Sequence, residues 1–353
     1  MTNVLALREL EDINIPELRR NFCSYSRHVN RRITGYVTVD ATKKTIKKAS
    51  KFGVLIFGSS LKSNALFLLI LALISISLLI ASPSTAWPSD RGLNFKHLQK
   101  QLIKDKEENF TKKQIHGIFN NPGARFDIEG ISSYFRHQEG KLNYDQFLSS
   151  KSIGKAKNYI WNHYADLLKA EIDYGVDRHV ITAIMLVETR LGSYVGNRPV
   201  LGILSTMAAL EDKKIRGLFW KKIPKKDRIT KDEYEKKAAS KAKWAYKELK
   251  AFIKHVDREG HDPYTIKGSY AGAMGICQFM PSNIAPLARD GNKDGSINLF
   301  HHEDAIVSIA NYLKRYGWKP GISREEAAKV VYHYNHSKYY VNTILNVSEK
   351  LKG

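Results

Sequence analysis

The amino-acid sequence predicts a mainly α-helical protein that has one N-terminal transmembrane helix and one small cation-binding loop. Apolar residues recur at helical spacing through most of the chain after residue 142, a long apolar run occupies residues 65–81, and oxygen-bearing side chains alternate from Asp290 onward. The sequence shows no strand-rich region, internal repeat or glycine-rich phosphate loop. A chain of 353 residues can hold one large domain or two smaller ones.

The chain is strongly basic. Its formal net charge is +22, and 43% of its residues are hydrophobic, which is ample for a core. A basic protein favours polyanionic surroundings such as nucleic acid, acidic lipid or an anionic polymer. Solubility and the retention of positive charge on the cytoplasmic side of a membrane explain part of the excess. The two cysteines, Cys23 and Cys277, lie far apart and indicate no disulfide framework.

The N-terminal region predicts a membrane anchor. Residues 1–63 are polar, with more lysine and arginine than aspartate and glutamate, and the following run is apolar apart from Ser75 and Ser77. Its length is at the lower edge for a membrane span, so we predict a transmembrane signal anchor within residues 64–86. Basic residues before a span keep the N-terminus in the cytoplasm. Residues 1–63 are therefore predicted to be cytoplasmic, and everything after residue 86 to lie across the membrane.

The same segment has a second interpretation as a cleaved signal peptide. Ser84 and Ala86 place small residues at the −3 and −1 positions of a cleavage site before Trp87. A leader as long as residues 1–63 before the apolar run is unusual for a cleaved signal, which favours the anchor.

Two polar regions flank the first part of the helical pattern. Residues 87–139 are a polar lead-in, expected to form short helices, with a break at the Asn-Asn-Pro-Gly of residues 120–123. Residues 211–230 are lysine-rich and are predicted to be an exposed loop or insertion, either a solvated surface or a contact to an anionic polymer. Thr230 and Glu233 then form a capping box, and the apolar residues after them predict a long amphipathic helix.

The segment Val180–Gly192 contains the candidate catalytic carboxylate. Glu188 lies on the apolar face of the predicted helix, and a carboxylate held against apolar side chains loses hydration and holds its proton more tightly. A general acid that works near neutral pH needs this property. The alternative is an exposed Glu188 paired with Arg190 at the end of the helix. The apolar face carries residues at positions i, i+3, i+4 and i+7, which are Ile181, Ile184, Met185 and Glu188.

The segment Gly268–Ser282 is rich in glycine and alanine, which indicates a backbone that a partner approaches closely. Ser269, Tyr270 and Gln278 are polar groups among these small residues, as in a groove wall that carries a few orienting hydrogen bonds. The alternative is a tight turn packed against a helix.

The residues from Asp290 onward match the first part of an EF-hand-like calcium loop. Oxygen side chains occupy positions 1, 3 and 5, glycine position 6 and an apolar residue position 8, but His301 replaces the usual Glu at position 12. Glu303 or Asp304, just beyond, could supply the missing oxygen. We predict a structural Ca²⁺ within residues 290–304, against the alternative of an Asx-rich turn. Zinc is not predicted, because His333 and His336 have no evident third partner.

Four segments occur in order along the chain, and together they resemble the membrane-bound lytic murein transglycosylase B family. They are the Glu188 motif, Gly268–Ser282, the Asp290 loop and Tyr334–Tyr340, and the resemblance covers roughly residues 140–350. It implies a lysozyme-like helical core in a catalytic domain at 140–353. It also implies non-hydrolytic cleavage of the β-1,4 bond between N-acetylmuramic acid and N-acetylglucosamine, which leaves a 1,6-anhydromuramoyl end. The implied location is the bacterial inner membrane with a periplasmic catalytic domain, or the soluble periplasm after cleavage.

The resemblance also implies roles for individual residues. Glu188 corresponds to the catalytic acid and then base, and Ser269 and Gln278 to groove residues. In one departure, the lysine-rich segment 213–228 replaces an arginine pair of the family. The expected substrate contacts from aromatic and amide side chains are Tyr144, Phe147, Tyr312, Tyr334, Asn335 and Tyr340. The expected cation ligands are Asp290, Asn292, Asp294, Ser296 and Asp304.

The expected partners are a peptidoglycan glycan strand and, through the N-terminal helix, the membrane. No organic cofactor is implied. Nucleic acid is not expected, because the sequence offers no recognisable reader motif. Two rival functions remain, a hydrolytic muramidase of the same fold and a murein-binding protein without activity.

Overall fold

The structure is a computed structural model that describes residues 93–131, 143–223 and 228–353. The chain divides into two compact units between Ser89 and Asp90, and every described residue belongs to the second unit. The predicted cytoplasmic segment 1–63 and the predicted span 64–86 lie outside the described residues. In the part of the chain that is described, no helix is both long and apolar enough to cross a membrane.

The described chain is mainly α-helical, as the periodicity predicts. Residues 128–131 are also helical, next to the first internal gap. The first helices are α1 (Lys96–Lys104), α2 (Lys112–Phe119), α3 (Ser150–Asn162), α4 (Tyr164–Tyr174), α5 (Arg178–Thr189) and α6 (Val200–Ala208). The later ones are α7 (Lys213–Lys222), α8 (Lys231–Glu259), α9 (Pro281–Leu287), α10 (His302–Arg315), α11 (Arg324–Tyr334) and α12 (Lys338–Lys352). Short 3₁₀ turns lie at Asp145–Leu148 and Ala209–Glu211.

Two short strands, β1 (Arg198–Pro199) and β2 (Lys267–Gly268), pair antiparallel with Arg198 opposite Gly268. Single bridges then join Gly268 to Met274 and Met274 to Phe279. The glycine-alanine segment is therefore folded back on itself beside β1. This small sheet fixes where the segment stands relative to the helices.

Helix α8 organises the core. Its capping box is present as predicted, with Thr230 accepting from the Glu233 amide and Glu233 accepting from the Thr230 amide. Its buried stripe packs against α6, a helix whose residues are all buried. Glu248, on this stripe, accepts 2.8 Å hydrogen bonds from both the amide and the hydroxyl of Ser282. The long helix thus also holds the start of α9.

Residues 211–230 were predicted to be an exposed loop or insertion, and their first half forms helix α7 rather than a loop. Asp212 caps this helix by accepting from the Lys214 amide at 2.7 Å. Ile215 and Phe219 are buried in the core one helical turn apart. The many lysines of this segment made the apolar pair easy to overlook. Two buried apolar residues one turn apart are enough to hold a short helix against the core.

The lead-in forms short helices, as predicted. Ion pairs between lysines of α8 and carboxylates of the lead-in connect the two. Lys250 donates to Asp105 at 2.9 Å, and Lys254 donates to Glu108 at 2.7 Å. Apolar side chains of α1 and α2 also join the main core. The boundary predicted at residue 140 falls among residues 132–142, outside the described ranges, and stays a prediction.

Candidate active site

Helix α5 presents Glu188 at its last turn. Asp177 caps the helix by accepting from the His179 amide at 2.8 Å, and the following residues are buried through Leu186. The helix ends where Arg190 and Leu191 take left-handed backbone angles, φ 51° and 62°. This unusual turn stops the helix directly after the carboxylate and leaves Glu188 half-buried.

The side chain of Glu188 is held by Tyr340 from α12. The Tyr340 hydroxyl donates to Glu188 Oε1 at 2.6 Å, and the tyrosine is only 2% exposed. Burial, and then the negative charge of Glu188, raise the pKa of Tyr340 well above its usual value. The phenol therefore stays protonated and remains a donor at any physiological pH.

The alternative pairing of Glu188 with Arg190 is not what the structure describes. Arg190 is exposed and donates to Gln146 Oε1 at 3.4 Å, in the 3₁₀ turn before α3. The guanidinium thus points toward the turn that carries Tyr144 and Phe147. Tyr144 adds to the raised pKa of Tyr340, so this turn lies beside the Glu188–Tyr340 pair.

Thr189 joins helix α5 to the segment Gly268–Ser282, which is called the glycine-alanine wall from here on. Its buried hydroxyl donates to the Ile276 carbonyl at 2.9 Å and accepts from the Gly192 amide at 3.0 Å. Sequence reasoning missed this residue, although its position next to Glu188 was a signal. The bond fixes the distance between the carboxylate and the wall.

The wall requires glycine at position 275 because Leu299 approaches its backbone closely. Gly275 has φ 76°, and a Cβ there would lie 2.4 Å from the Cβ of Leu299. The Ile276 amide donates to the Leu299 carbonyl at 2.7 Å. The wall is therefore packed between the end of α5 and the cation loop, which is the name used for residues 290–304.

The two predicted groove side chains both make hydrogen bonds inside the wall. Ser269 Oγ accepts from the amides of Ala271 and Ala273, at 3.2 and 3.1 Å. Gln278 Nε2 donates to the carbonyls of Val195 and Gly275, at 3.1 and 2.9 Å. These bonds shape the wall, and a contact of either residue with sugar stays a prediction.

Two of the predicted sugar contacts, Tyr312 and Tyr340, are buried and make hydrogen bonds within the protein, and their contact with sugar stays a prediction. Tyr312 is 4% exposed and its hydroxyl donates to the His333 carbonyl at 2.6 Å. Tyr340 is 2% exposed, and its hydroxyl donates to Glu188. Their rings support Tyr334, whose ring centroid lies 4.7 Å from that of Tyr312 and 6.4 Å from that of Tyr340.

The remaining aromatic candidates are half-buried around the same region. Tyr334 donates to the Cys277 carbonyl at 2.5 Å, which ties α11 to the wall. Tyr144 and Phe147 have ring centroids 6.5 Å apart, and Asn335 is half-buried at the end of α11. The predicted residues are thus brought to one region of the fold by α5, α11, α12 and the wall.

The cation loop is closed by its own backbone. Asp290 accepts from the amides of Lys293 and Gly295, at 2.6 and 2.8 Å. Asp304 is fully buried and accepts from the amides of Gly291 and Asn298, at 2.8 and 2.7 Å. Burial raises the pKa of Asp304. Asp304 therefore closes the loop from beyond position 12 through backbone hydrogen bonds, and its role as a cation ligand stays a prediction.

The donor set of this loop suits a hard cation. Three carboxylates, an amide and a hydroxyl offer only oxygen atoms, which Ca²⁺ prefers. Across the described ranges, no cluster of three His, Cys, Asp or Glu side chains is gathered closely enough to hold a metal ion. Sequence reasoning missed Glu259, which ends α8 and accepts from the Ser296 hydroxyl and the Ile297 amide at 3.0 and 2.9 Å. Glu259 thereby holds the loop against α8.

The model of the transglycosylase SLT domain family matches residues 94–329 of this chain. The chain belongs to this family. The matched region contains Glu188, the wall and the cation loop, and it ends before Tyr334 and Tyr340. The membrane-bound lytic murein transglycosylase B of Escherichia coli strain K12 is 36% identical over 162 residues, which are 46% of this chain and 37% of that protein. The match therefore spans little more than a third of that relative.

Solved structures of lytic transglycosylases share the fold. SltB1 of Pseudomonas aeruginosa has a TM-score of 0.59 at 22% identity and covers 73% of this chain and 97% of its own. SltB3 of the same organism, in complex with NAG-anhNAM-pentapeptide, has a TM-score of 0.59 at 18% identity, with 74% and 80% covered. Escherichia coli Slt35 in complex with calcium has a TM-score of 0.52 at 21% identity, with 73% and 92% covered. At these identities the likeness confirms the predicted lysozyme-like helical fold.

Proposed function

We propose that the chain cleaves the β-1,4 bond between N-acetylmuramic acid and N-acetylglucosamine in peptidoglycan without water, forming 1,6-anhydromuramoyl ends. The observation that carries this proposal is the 2.6 Å hydrogen bond from Tyr340 to Glu188, at the end of a helix tied to the glycine-alanine wall. One carboxylate held by one phenol, beside a wall built for close approach, suits a single acid-base residue. Membership of the transglycosylase family supports the same reaction.

Protonated Glu188 begins the reaction by giving its proton to the glycosidic oxygen as the bond from C1 to that oxygen breaks. The acetamido oxygen of muramic acid attacks C1 and takes the place of a second carboxylate, as in substrate-assisted glycosidases. The C6 hydroxyl of the same sugar then attacks C1, the acetamido oxygen leaves, and Glu188 takes the hydroxyl proton. Internal attack gains the advantage of a unimolecular step.

Tyr340 keeps Glu188 in place through both steps. Its hydrogen bond is strongest to the carboxylate form, which must persist until the C6 hydroxyl arrives. Tyr144, Phe147 and Tyr334 would offer ring faces to the sugars, with Asn335, Ser269 and Gln278 orienting polar groups. Sugars packed on these faces exclude water, which disfavours hydrolysis.

We further propose that Asp290, Asn292, Asp294, Ser296 and Asp304 hold a Ca²⁺ ion with a structural role. The buried carboxylate of Asp304 supports this, because a bound cation would compensate the cost of burying its charge. A divalent ion would hold together a loop that adjoins the wall through Leu299. No step of the reaction needs the metal or an organic cofactor.

The proposed location is the bacterial inner membrane, with residues 64–86 as anchor and the catalytic domain in the periplasm, or the soluble periplasm if that segment is cleaved. The partners proposed are a murein glycan strand and the membrane, with no role for nucleic acid. The basic surface of the chain suits the carboxylates of murein peptides and other envelope polyanions.

Isotopic labelling separates this function from its hydrolytic rival. The full chain is incubated with purified sacculi in ¹⁸O-water, and the masses of the soluble products are measured by mass spectrometry. The proposal predicts anhydro products that are one water lighter than reducing-end products and carry no ¹⁸O. Products with ¹⁸O at the muramic acid end would show a hydrolytic muramidase, and no release of product would indicate a binding protein.

A further inference from the structure

We propose that the first half of helix α8 is a docking surface for an anionic phospholipid bilayer. This surface, called here the lysine face, consists of Lys236, Ser240, Lys243 and Lys247, with Lys237, Lys241 and Trp244 beside it. It belongs to no part of the candidate active site. The proposal does not depend on the chemistry of Glu188.

The lysine face points away from the core. Residues 236, 240, 243 and 247 are spaced by four, three and four, so they share one side of the helix. All four are exposed, and between residues 236 and 247 the chain contains no acidic residue. The buried stripe on the opposite side of the helix is formed by Ala238, Ala242, Ala245 and Leu249.

The second half of the same helix shows how such lysines are neutralised when a partner is present. Lys250 and Lys254 continue the lysine face, and they pair with Asp105 and Glu108 of the lead-in at 2.9 and 2.7 Å. Within the described ranges, Lys236, Lys243 and Lys247 have no salt bridge. The lead-in thus covers one half of a continuous cationic face. In the other half, Lys236 and Lys237 interact electrostatically with Glu233 one turn away, whereas Lys243 and Lys247 form no salt bridge within the described ranges.

Trp244 at the edge of this surface favours a bilayer over a purely charged polymer. Its side chain is partly exposed beside the lysines, with Lys241 Nζ 5.2 Å from its ring centroid. An indole with an apolar body and a polar edge is suited to the headgroup region of a membrane.

The length of the chain makes the contact feasible. The seven residues from the predicted anchor's end at Ala86 to Leu93 reach at most about 25 Å. Helix α1 adds roughly 14 Å, and Asp105 after it contacts Lys250 directly. Because so few residues separate the predicted anchor from α1, a bilayer is an available partner, and anionic lipid attracts clustered lysines.

A fluorescent label on the lysine face tests this docking. The full chain with Cys23→Ser and Ser240→Cys is labelled with an environment-sensitive dye and placed in nanodiscs of phosphatidylcholine, with or without phosphatidylglycerol. Cys277 is fully buried and does not compete for the label. We expect a blue-shifted, brighter signal only in the anionic discs, reversed by high salt. The same dye on Lys350→Cys, exposed on α12, should report no change.

Charge reversal identifies the lysines. Lys236→Glu, Lys243→Glu and Lys247→Glu together should reduce the docked fraction at least about tenfold. The matched control Lys329→Glu, Lys338→Glu and Lys350→Glu has the same net charge and should dock normally. Identical dye signals in both kinds of nanodisc would overturn the proposal. So would a loss of sacculus binding by the first triple variant with unchanged signals, because that result would make the wall polymer the partner.

Discussion

At the scale of single residues, the sequence singled out Glu188 as the candidate carboxylate but did not show which side chain holds it. The helical pattern placed Glu188 on an apolar face, and the structure describes it half-buried there. Tyr340 was expected to contact sugar, and its hydrogen bond to Glu188 was not predicted. A contact between residues separated by 152 positions depends on how α12 packs, which local spacing does not specify. The Thr189 bond to Ile276 was missed for the same reason.

The variant Tyr340→Phe tests this pair. It removes a hydrogen bond to a charged group while keeping the ring, and such bonds contribute about 1.5–3 kcal/mol. We expect kcat on sacculi to fall roughly ten- to a hundredfold, with thermal stability nearly unchanged. Tyr339→Phe, at a ring that is 63% exposed, is the control and should keep wild-type kcat. An unchanged kcat in Tyr340→Phe would remove the tyrosine from the mechanism.

At the scale of elements, strong local signals were predicted well. The capping box of α8 follows from a short sequence pattern. For the cation loop the pattern left Glu303 and Asp304 open, and the structure brings Asp304 to the loop backbone. The lysine-rich segment misled the prediction, because two apolar residues one turn apart in α7 outweigh its charge. The support of the loop by Glu259 of α8 joins parts of the chain that lie 37 and 38 positions apart. Only the folded arrangement reveals such a contact.

The cation loop gives a prediction at this scale. Adding CaCl₂ to EDTA-treated protein should raise Tm by about 5 °C or more, because an ion that binds only the folded state stabilises it. Asp290→Asn weakens the first ligand and should abolish most of that rise. The control Asp257→Asn, at an exposed position on α8, should respond to calcium like the wild type. Equal Tm values for the wild type with and without calcium would exclude a structural Ca²⁺.

At the scale of the whole molecule, the helical class and the resemblance were sufficient to predict the fold, and the family match confirms it. The attachment of the lead-in was not predicted, because the local pattern of residues 87–139 does not specify which surface they pack against. They join the core of the main domain, and Asp105 and Glu108 pair with α8. The predicted anchor and cytoplasmic segment fall outside the described residues and remain predictions.

Global stability should depend on pH through His255. This histidine of α8 is 4% exposed, and burial lowers its pKa to about 4. The unfolded chain protonates it below its usual pKa of 6.5, whereas the folded chain does so only near 4. Its contribution to stability is therefore complete above pH 6.5 and is lost as the pH falls toward 4.

Urea unfolding at about pH 7.5 and about pH 5 measures this effect. The wild type should lose about 2 kcal/mol more of its unfolding free energy between these pH values than His255→Leu, which cannot titrate. The variant is compared with itself at the two pH values, so its own packing defect cancels. Equal losses in the two proteins would show that His255 is not buried in its neutral form.

The most direct test of the account is product analysis of Glu188→Gln, which keeps the shape of the side chain and removes its transferable proton. Glu235→Gln, at a half-buried acid on α8 outside the candidate site and the cation loop, serves as the matched control. Both full-length variants are incubated with purified sacculi, and the 1,6-anhydromuropeptides are counted by mass spectrometry. We predict none above background from Glu188→Gln and near wild-type amounts from the control. Anhydro products from Glu188→Gln at the wild-type rate would contradict the central claim that this one carboxylate is both acid and base.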